Sequence, residues 1–535
     1  MVLSVKITHC VILKRTLKSA TYDLCSTQKG EESLPPQVAL YIIRPMIDNE
    51  IRNLLDDLKA KGAEYADVRY HTLDLHEQIH LQDGLMKNYN FQDKKGYGVR
   101  VLYKGAWGFF SNEDPKLLKE TAAIAMKKAQ SAALFMQDSV KLAPKEVYKE
   151  NFRSNIGEDP FEVNLKDKIE LLSNINKRLK HERFTFRGAS ASFNKRTILF
   201  FDTDGSEIEK HTLEVDPYMY AYAKDRDGLT QSRSYLMYQN ATPDSTVGLE
   251  NIRNEEQFSS HPERIKEELL QVLDAPIQEE EVCSLIPGHE MMALQTHETI
   301  GHALELDRIL GYELSYAGGS HVDLEDFNSL KFGSEKLNAH ASGTTLNSPG
   351  SVGFDDDGVK GVDVLMIEKG KLKNCITSRQ MIMEANQKAG KEIFKESGGA
   401  CRAQSYNNLP IERMNNINID SGNDGTLEDI ISKTENGLML ETPKSWSIGS
   451  NRENFHFACE IGWKIRDGKI SHVVRNPTYK GDSLKFWHSL DLVGDSSTWQ
   501  LQQVFNCGKG QPNQIMHLAH GVPICRFNSI EVGNK

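Results

Sequence analysis

The 535 residues are 39% hydrophobic and 26% charged, with a formal net charge of -11, the composition of an ordinary globular protein long enough for two or more domains. The acidic balance argues against nucleic acid as the main partner. No apolar run approaches the ~20 residues that span a bilayer, so no membrane association and a cytoplasmic location are expected.

Residues 1–45 read as a poorly ordered leader, or as an extension upstream of a natural start at Met46. The apolar piece Val11-Ile12-Leu13 is short and interrupted, and no small-residue cleavage site follows it, so it is not read as a signal peptide. From Met46, the residues Ile47, Ile51, Leu54, Leu55 and Leu58 recur at helical spacing until Gly62. Strands are expected at Ala66–Tyr70, Val99–Tyr103 and Ala106–Phe110, with Lys104-Gly105 as a hairpin turn. The alanine-rich stretch Leu117–Leu134 predicts a helix, as does Leu165–Leu179. Antiparallel strands follow at Phe184–Ser192, Thr197–Asp202 and Ser206–Leu213, turning at Asp204-Gly205, and then a helix at Pro262–Leu273. A helix, a run of hairpins and more helices describe an α+β domain with an antiparallel sheet over residues 46–274 rather than a doubly wound sheet.

A second domain, 275–535, opens after the charge run Gln278–Glu281 with a buried strand, Val282–Ile286. Beyond Asn328 the chain is rich in Gly, Asn, Asp and Ser. Strands are expected at Val362–Glu368, Asn416–Asp420, Leu438–Glu441, Phe455–Arg466 and Lys469–Val474, the last two joined at Asp467-Gly468. The eight cysteines (10, 25, 283, 375, 401, 459, 507 and 525) include no CxxC pair. They do not form the framework of a small disulfide-stapled domain, and most are expected to be buried small hydrophobes.

The segment Thr296–Glu305, THETIGHALE, places His297 and His302 five residues apart, with Glu298 beside the first. The zinc-protease pattern HExxH spaces its histidines by four. On a straight helix a spacing of five turns the two rings ~140° apart, too far to grip one ion. One residue looped out as a π-bulge returns them to one side, and Gly301 is the residue that most easily accepts such a distortion. On spacing alone, a histidine buried with a satisfied hydrogen bond, or an exposed one, is the default reading.

The chain resembles the TldD/PmbA family of metallopeptidases, and within it the TldD-like, metal-binding branch. The resemblance runs over most of residues 60–535. It is carried by Gly62–Arg69, Gly98–Val101, Ala106–Phe109, Arg187–Ser190, His297–Arg308, Leu310–Glu313, Leu330–Ser334, Gly353–Val359, Arg402–Tyr406, Arg413–Asn415 and Cys507–Gln511. It implies an HExxxH zinc site held by His297, His302 and Cys507, with Glu298 as the catalytic carboxylate. Two imidazoles and a thiolate suit Zn²⁺ and leave a position open for water. Glu298 would take a proton from that zinc-acidified water and pass it to the leaving amine. The resemblance also implies a strand-rich catalytic domain, small or unfolded peptides as substrates, and a dimer with itself or with a related TldD/PmbA chain. The competing reading is a non-catalytic scaffold subunit, the role that the PmbA-like branch resembles.

Other residues invite weaker readings. Glu305 is a candidate to orient a ligand imidazole, or else a solvated helix position. Asp307 and Arg308 read as structural pairing, Asp355-Asp356-Asp357-Gly358 as a turn lacking EF-hand spacing, and His289 and His321 as incidental. Arg402 and Tyr406 are candidate oxyanion donors or structural hydrogen-bonders. Cys507-Gly508-Lys509-Gly510 does not complete a phosphate loop.

Overall fold

The computed structural model describes residues 36–510 and 513–534. Residues 1–35, with Cys10 and Cys25, and the pair Gln511-Pro512 lie outside the described residues. The chain divides into two units, 1–53 and 54–535. The described part of the first is helical and belongs to a helix, Pro36–Ala60, that begins earlier than the apolar spacing from Met46 indicates.

In the second unit the first sheet contains β1 (Tyr65–Gln82), β2 (Leu85–Asp93), β3 (Gly96–Tyr103), β4 (Ala106–Asn112), β5 (Lys149–Arg153), β6 (Phe184–Asp202), β7 (Glu207–Lys224) and β8 (Thr230–Leu236). Their order is β4-β3-β1-β6-β7-β5, with β2 added to β1 and β8 to β7. Only the short β5 runs parallel to its neighbour among the described pairs of this sheet. At the β3–β4 hairpin Lys104 and Gly105 have φ of 47° and 73°, the left-handed pair that a two-residue turn of this hand requires. The two strands expected at Phe184–Ser192 and Thr197–Asp202 are one strand. Asn194-Lys195-Arg196 stays in register with both β1 and β7, and its two cations pair with Asp159 and Asp74. Polar residues that read as a break are thus partnered on the sheet.

Helices cover this sheet. Leu118–Ala133 packs so closely on β4 that a Cβ at Gly108 would lie 2.1 Å from the Ala125 carbonyl oxygen. From helices Leu165–Arg178 and His261–Asp274, the side chains of Leu172, Ile175, Ile265 and Leu269 share one core with Ala191, Phe193, Val215 and Met219 of β6 and β7.

The second half builds a seven-stranded sheet from Glu281–Pro287, Asn436–Ile448, Asn454–Arg466, Lys469–Val474, Thr478–Asp482, Leu490–Val493 and Cys525–Gly533. It closes into a barrel because Glu281–Pro287 pairs with Asn436–Ile448 on one side and Cys525–Gly533 on the other. A separate hairpin, Gln500–Lys509 with Gln514–Val522, lies outside that barrel sheet. Its inner residues Cys507, Leu518 and Val522 join the larger core, which also holds Met291, Met292 and Ile300.

The aspartate cluster is a turn, and it ties the two halves together. Asp355 accepts from the backbone N–H groups of Asp357, Val359 and Cys401. Asp356 pairs with Lys210 of β7 at 2.9 Å and Arg69 of β1 at 3.5 Å, and Asp357 pairs with Arg100 of β3 at 2.7 Å. Of the carboxylates that suggested calcium, Asp356 and Asp357 are paired with the chain's own cations and Asp355 is taken up by backbone N–H groups.

Candidate metal centre

Glu281–Pro287 leads at Gly288 into the helix His289–Thr296, which then widens into a π turn, His297–Gly301. The His302 N–H reaches back five residues to the His297 carbonyl, and a short 3-10 turn, His302–Leu304, follows. The bulge expected between the histidines is therefore present. Its cause differs in one respect from the expectation. Gly301 has φ -55°, open to any residue, so glycine is not needed there for conformational freedom. A Cβ on Gly301 would lie 2.5 Å from Met414 Cε and 2.6 Å from its sulfur, so it is close packing that favours glycine.

The bulge sets the His297 and His302 rings with centroids 4.6 Å apart and planes at 83°. A second backbone irregularity delivers the sulfur. Between Val504 and Cys507 the hairpin register slips by a β-bulge, a feature that re-aims side chains. Cys507 Sγ lies 3.7 Å from His302 Nε2, and His297, His302 and Cys507 offer donor atoms all within 4.8 Å of one another. Three donors around one tetrahedral ion of zinc's size sit about 3.3–3.6 Å apart, so only small adjustments are needed to close on an ion.

The surrounding hydrogen bonds orient the two rings. His302 Nδ1 is 2.8 Å from Glu305 Oε2, and His297 Nδ1 is 2.8 Å from His520 Nε2. His520 Nδ1 is 3.1 Å from the Ile417 carbonyl. With Nδ1 of each ring engaged by its neighbour, His302 and His297 each keep Nε2 available, and that of His302 faces the sulfur, the arrangement of metal-bound imidazoles. Burial lowers the pKa of both His297 and His302, with Glu305 opposing the shift in each, a direction that favours the neutral, ligating ring. Burial pushes the Cys507 thiol up, but His302 and Arg413 outweigh it and the thiol is held below its ordinary value. Arg413 donates to Cys507 Sγ at 3.3 Å and to its carbonyl at 2.6 Å.

Glu305, open between two readings in the sequence, is fully buried and bonded to His302, not a solvated helix position. Besides His302 it meets Arg308 and the Met414 N–H, and Lys509 Nζ stands 3.1 Å from its other oxygen. Burial alone would raise the Glu305 carboxyl; Lys509, His302 and Arg308 reverse that and hold it well below the usual range. Strand alternation explains Cys507-Gly508-Lys509: residues two apart share a face, so one strand brings the thiol to the histidines and the ammonium to Glu305. Lys509 also pairs with Asp307 at 2.6 Å.

Glu298 projects into the same cavity, of about 420 Å³, as the three donors. Its Oε2 accepts from Arg452 at 3.3 Å. Arg452 has φ 65°, a conformation uncommon outside glycine that concentrates at functional sites. The cavity is walled by both halves, with Asp216 and Tyr218 from β7, Ser234 and Leu236 from β8, and Trp446 and residues 502–508 opposite the first sheet in sequence. Arg402 and Tyr406 do not line it among the described residues. Arg402 donates to the carbonyls of His517 and Met414, and the Tyr406 hydroxyl to Glu113. His289 and His321 bond to the carbonyls of Thr498 and Asn451. Sequence reasoning missed His520, Arg413, Arg452 and Lys509 as site residues. The period-2 spacing of Lys509 from Cys507 was a usable signal; His520 had none.

Two family profiles match the chain: "PmbA/TldA metallopeptidase domain 1" over residues 66–133 and "PmbA/TldA metallopeptidase C-terminal domain" over residues 280–534. A metalloprotease of Methanothermobacter thermautotrophicus is 26% identical over 481 residues, covering 90% of this chain and 98% of its own. A zinc metalloprotease TldD homolog of Saccharolobus solfataricus is 24% identical over 486 residues, covering 88% and 97%. Among solved structures, a Bacteroides thetaiotaomicron protein crystallised as a candidate modulator of DNA gyrase superposes with a TM-score of 0.69 at 15% identity, covering 91% of this chain and 99% of its own. That last likeness is one of fold.

Proposed function

The chain belongs to the TldD/PmbA family of metallopeptidases, and from that premise we propose that it is a zinc-dependent peptidase acting on small or unfolded peptides. The observation that carries the reading is that two oriented imidazoles and a thiol bring their donor atoms within 4.8 Å of one another, with the Glu298 carboxyl beside them in a cavity. The donor set is one that Zn²⁺ favours, with a fourth position left for water or substrate, and the Saccharolobus relative is named a zinc enzyme. Zinc, when bound, supplies a Lewis acid that acidifies water and polarises a carbonyl.

The chain's own residues do the rest. Glu305 and His520 orient the ligand rings. Glu298 accepts a proton from the attacking water and returns it to the leaving amine, while Arg452 keeps its carboxylate oriented. The strand Gln500–Lys509 pairs with Gln514–Val522 on one edge and with Tyr238–Gln239 only at Leu501 and Gln502 on the other. Residues 503–508 thus present an edge along the cavity to which an extended peptide adds as a strand. Recognition of backbone in this way favours flexible chains over particular sequences. The assembly is a dimer, with itself or with a related chain of the family.

The scaffold reading, a subunit without catalysis, is disfavoured by the complete donor set. Metal analysis together with hydrolysis of an unfolded peptide by the wild type and by Glu298→Ala separates the two. The proposal expects zinc in both proteins and turnover lower by about 10²–10⁴-fold in the variant. Wild-type protein with no zinc and no hydrolysis establishes the scaffold.

A further inference from the structure

Two carboxyls in the cavity are left over by the mechanism. Glu298 has Arg452, but neither Glu290 nor Asp216 forms an ion pair among the described residues; Arg233 favours the charged form of Glu290 and His517 that of Asp216 only at longer range. Glu290, on the helix His289–Thr296, is 8% exposed. Its Oε1 accepts from the Leu236 N–H at 3.3 Å, while Oε2 is buried without a hydrogen-bond partner among the described residues. The Thr442 hydroxyl, also short of a well-formed hydrogen bond, is the polar neighbour that favours the ionised Glu290 carboxylate. Asp216 lines the same cavity from β7 and receives no hydrogen bond among the described residues. The two are neighbours through the sheet. Leu236, which holds Glu290, is the register partner of Tyr218, and Tyr218 shares a strand face with Asp216 two residues away. The β8 strand ends at Leu236, so nothing in β8 covers Asp216.

Adjacent acids do have partners. Glu441 pairs with Arg233 and Arg264, Glu460 with Arg233, and Glu214 with His517. A buried carboxyl without a paired cation, as at Glu290, is costly unless a ligand supplies one; Asp216 is half-buried and faces the cavity. Burial pushes Asp216 up to about 7 and Glu290 up to about 8, with Glu441 adding to the latter.

We propose that this acidic end of the cavity binds an ammonium group of the substrate, either a free peptide amino terminus or a lysine side chain. The proposal rests on the peptidase reading above and specifies its substrate. Geometry also sets the register. Glu290 precedes His297 by seven residues of helix, which places it on the same face and ~10 Å away along the axis. An extended peptide covers that distance in about three residues. A captured amino terminus therefore positions cleavage two or three residues in, so that short N-terminal fragments are released rather than single amino acids.

The test uses four unstructured peptides of one sequence: amino terminus free or acetylated, each with a single lysine or norleucine. The zinc-loaded full-length protein is expected to cleave at least one ammonium-bearing peptide about tenfold better in kcat/KM than the acetylated norleucine peptide. Which arm carries the preference identifies the source of the ammonium. Mass spectrometry of products locates the cut. Asp216→Asn and Glu290→Gln should each bring the preference ratio toward one, a readout that general loss of activity does not move. Equal cleavage of all four peptides by the wild type, or an unchanged ratio in both variants, overturns the proposal. Fluorescence anisotropy of the same peptides on Glu298→Gln protein reads the ratio without turnover. Preference in binding without hydrolysis by the wild type sinks the peptidase reading and leaves the ammonium site standing; equal binding sinks the ammonium site.

Discussion

Glu305→Gln isolates the carboxylate that joins the metal centre to the buried charge cluster. The substitution keeps shape and one acceptor oxygen but removes the charge shared by His302, Arg308 and Lys509. Removing one charge from a fully buried cluster costs about 3–5 kcal/mol. Lys509 keeps Asp307 at 2.6 Å, and Arg308 keeps the carbonyls of Ala317 and Gly318 at 2.8 and 3.1 Å, so the lower end, about 3 kcal/mol, is expected. Loss of the anion behind a ligand imidazole weakens metal binding by about 10–100-fold. The sign with pH follows from the depressed Glu305 carboxyl. Its stabilisation is fully present above the ordinary carboxylate pKa and is lost as pH falls through the lower folded value, so wild type and variant converge only in acid. Chelator competition measures zinc affinity, and chemical denaturation of metal-free protein between pH 4 and 8 measures stability. Zinc affinity within threefold of wild type would refute the assigned role of Glu305.

His520→Leu removes the partner behind His297 Nδ1 and should weaken zinc binding by about 10–100-fold, read by the same competition assay, and cost about 1–3 kcal/mol of metal-free stability through the buried polar groups left unpaired. Asp356→Asn strips Lys210 and Arg69 of their shared carboxylate and should cost about 3 kcal/mol in denaturation, whereas added calcium should leave the wild-type melting temperature unchanged. His340, between Asp363 and Asp420, is pushed up to about 10 by hydrogen bonds to those two carboxylates. A raised folded pKa stabilises fully below the unfolded value near 6.5 and fades as pH rises toward 10, so His340→Gln should lower the melting temperature at pH 6 and not above pH 10.

The π-bulge was legible because the chemistry of a shared metal and the angular step of a helix conflict at a spacing of five, and only a bulge reconciles them. Cys507 was legible only through family resemblance, since nothing local to a thiol on a strand reveals which helix it will face. The Lys104-Gly105 and Asp467-Gly468 turns were read from residues that accept positive φ. The C-terminal strands from Thr478 onward were missed, because Gln500–Lys509 carries polar and apolar residues on both faces, one lining a cavity and one joining a core, and shows no alternation. His520 and Arg452 escaped for a related reason: each acts through a partner more than 150 residues away in sequence, and spacing along the chain carries no trace of such pairs.

The central claim is that one metal ion bridges the bulged helix and the distant strand. X-ray absorption at the zinc edge of the loaded protein tests it most directly. The expected signal is nitrogen or oxygen at about 2.0–2.1 Å with one sulfur at about 2.3 Å, the sulfur shell vanishing in Cys507→Ser. A wild-type spectrum with only light-atom neighbours would contradict the account.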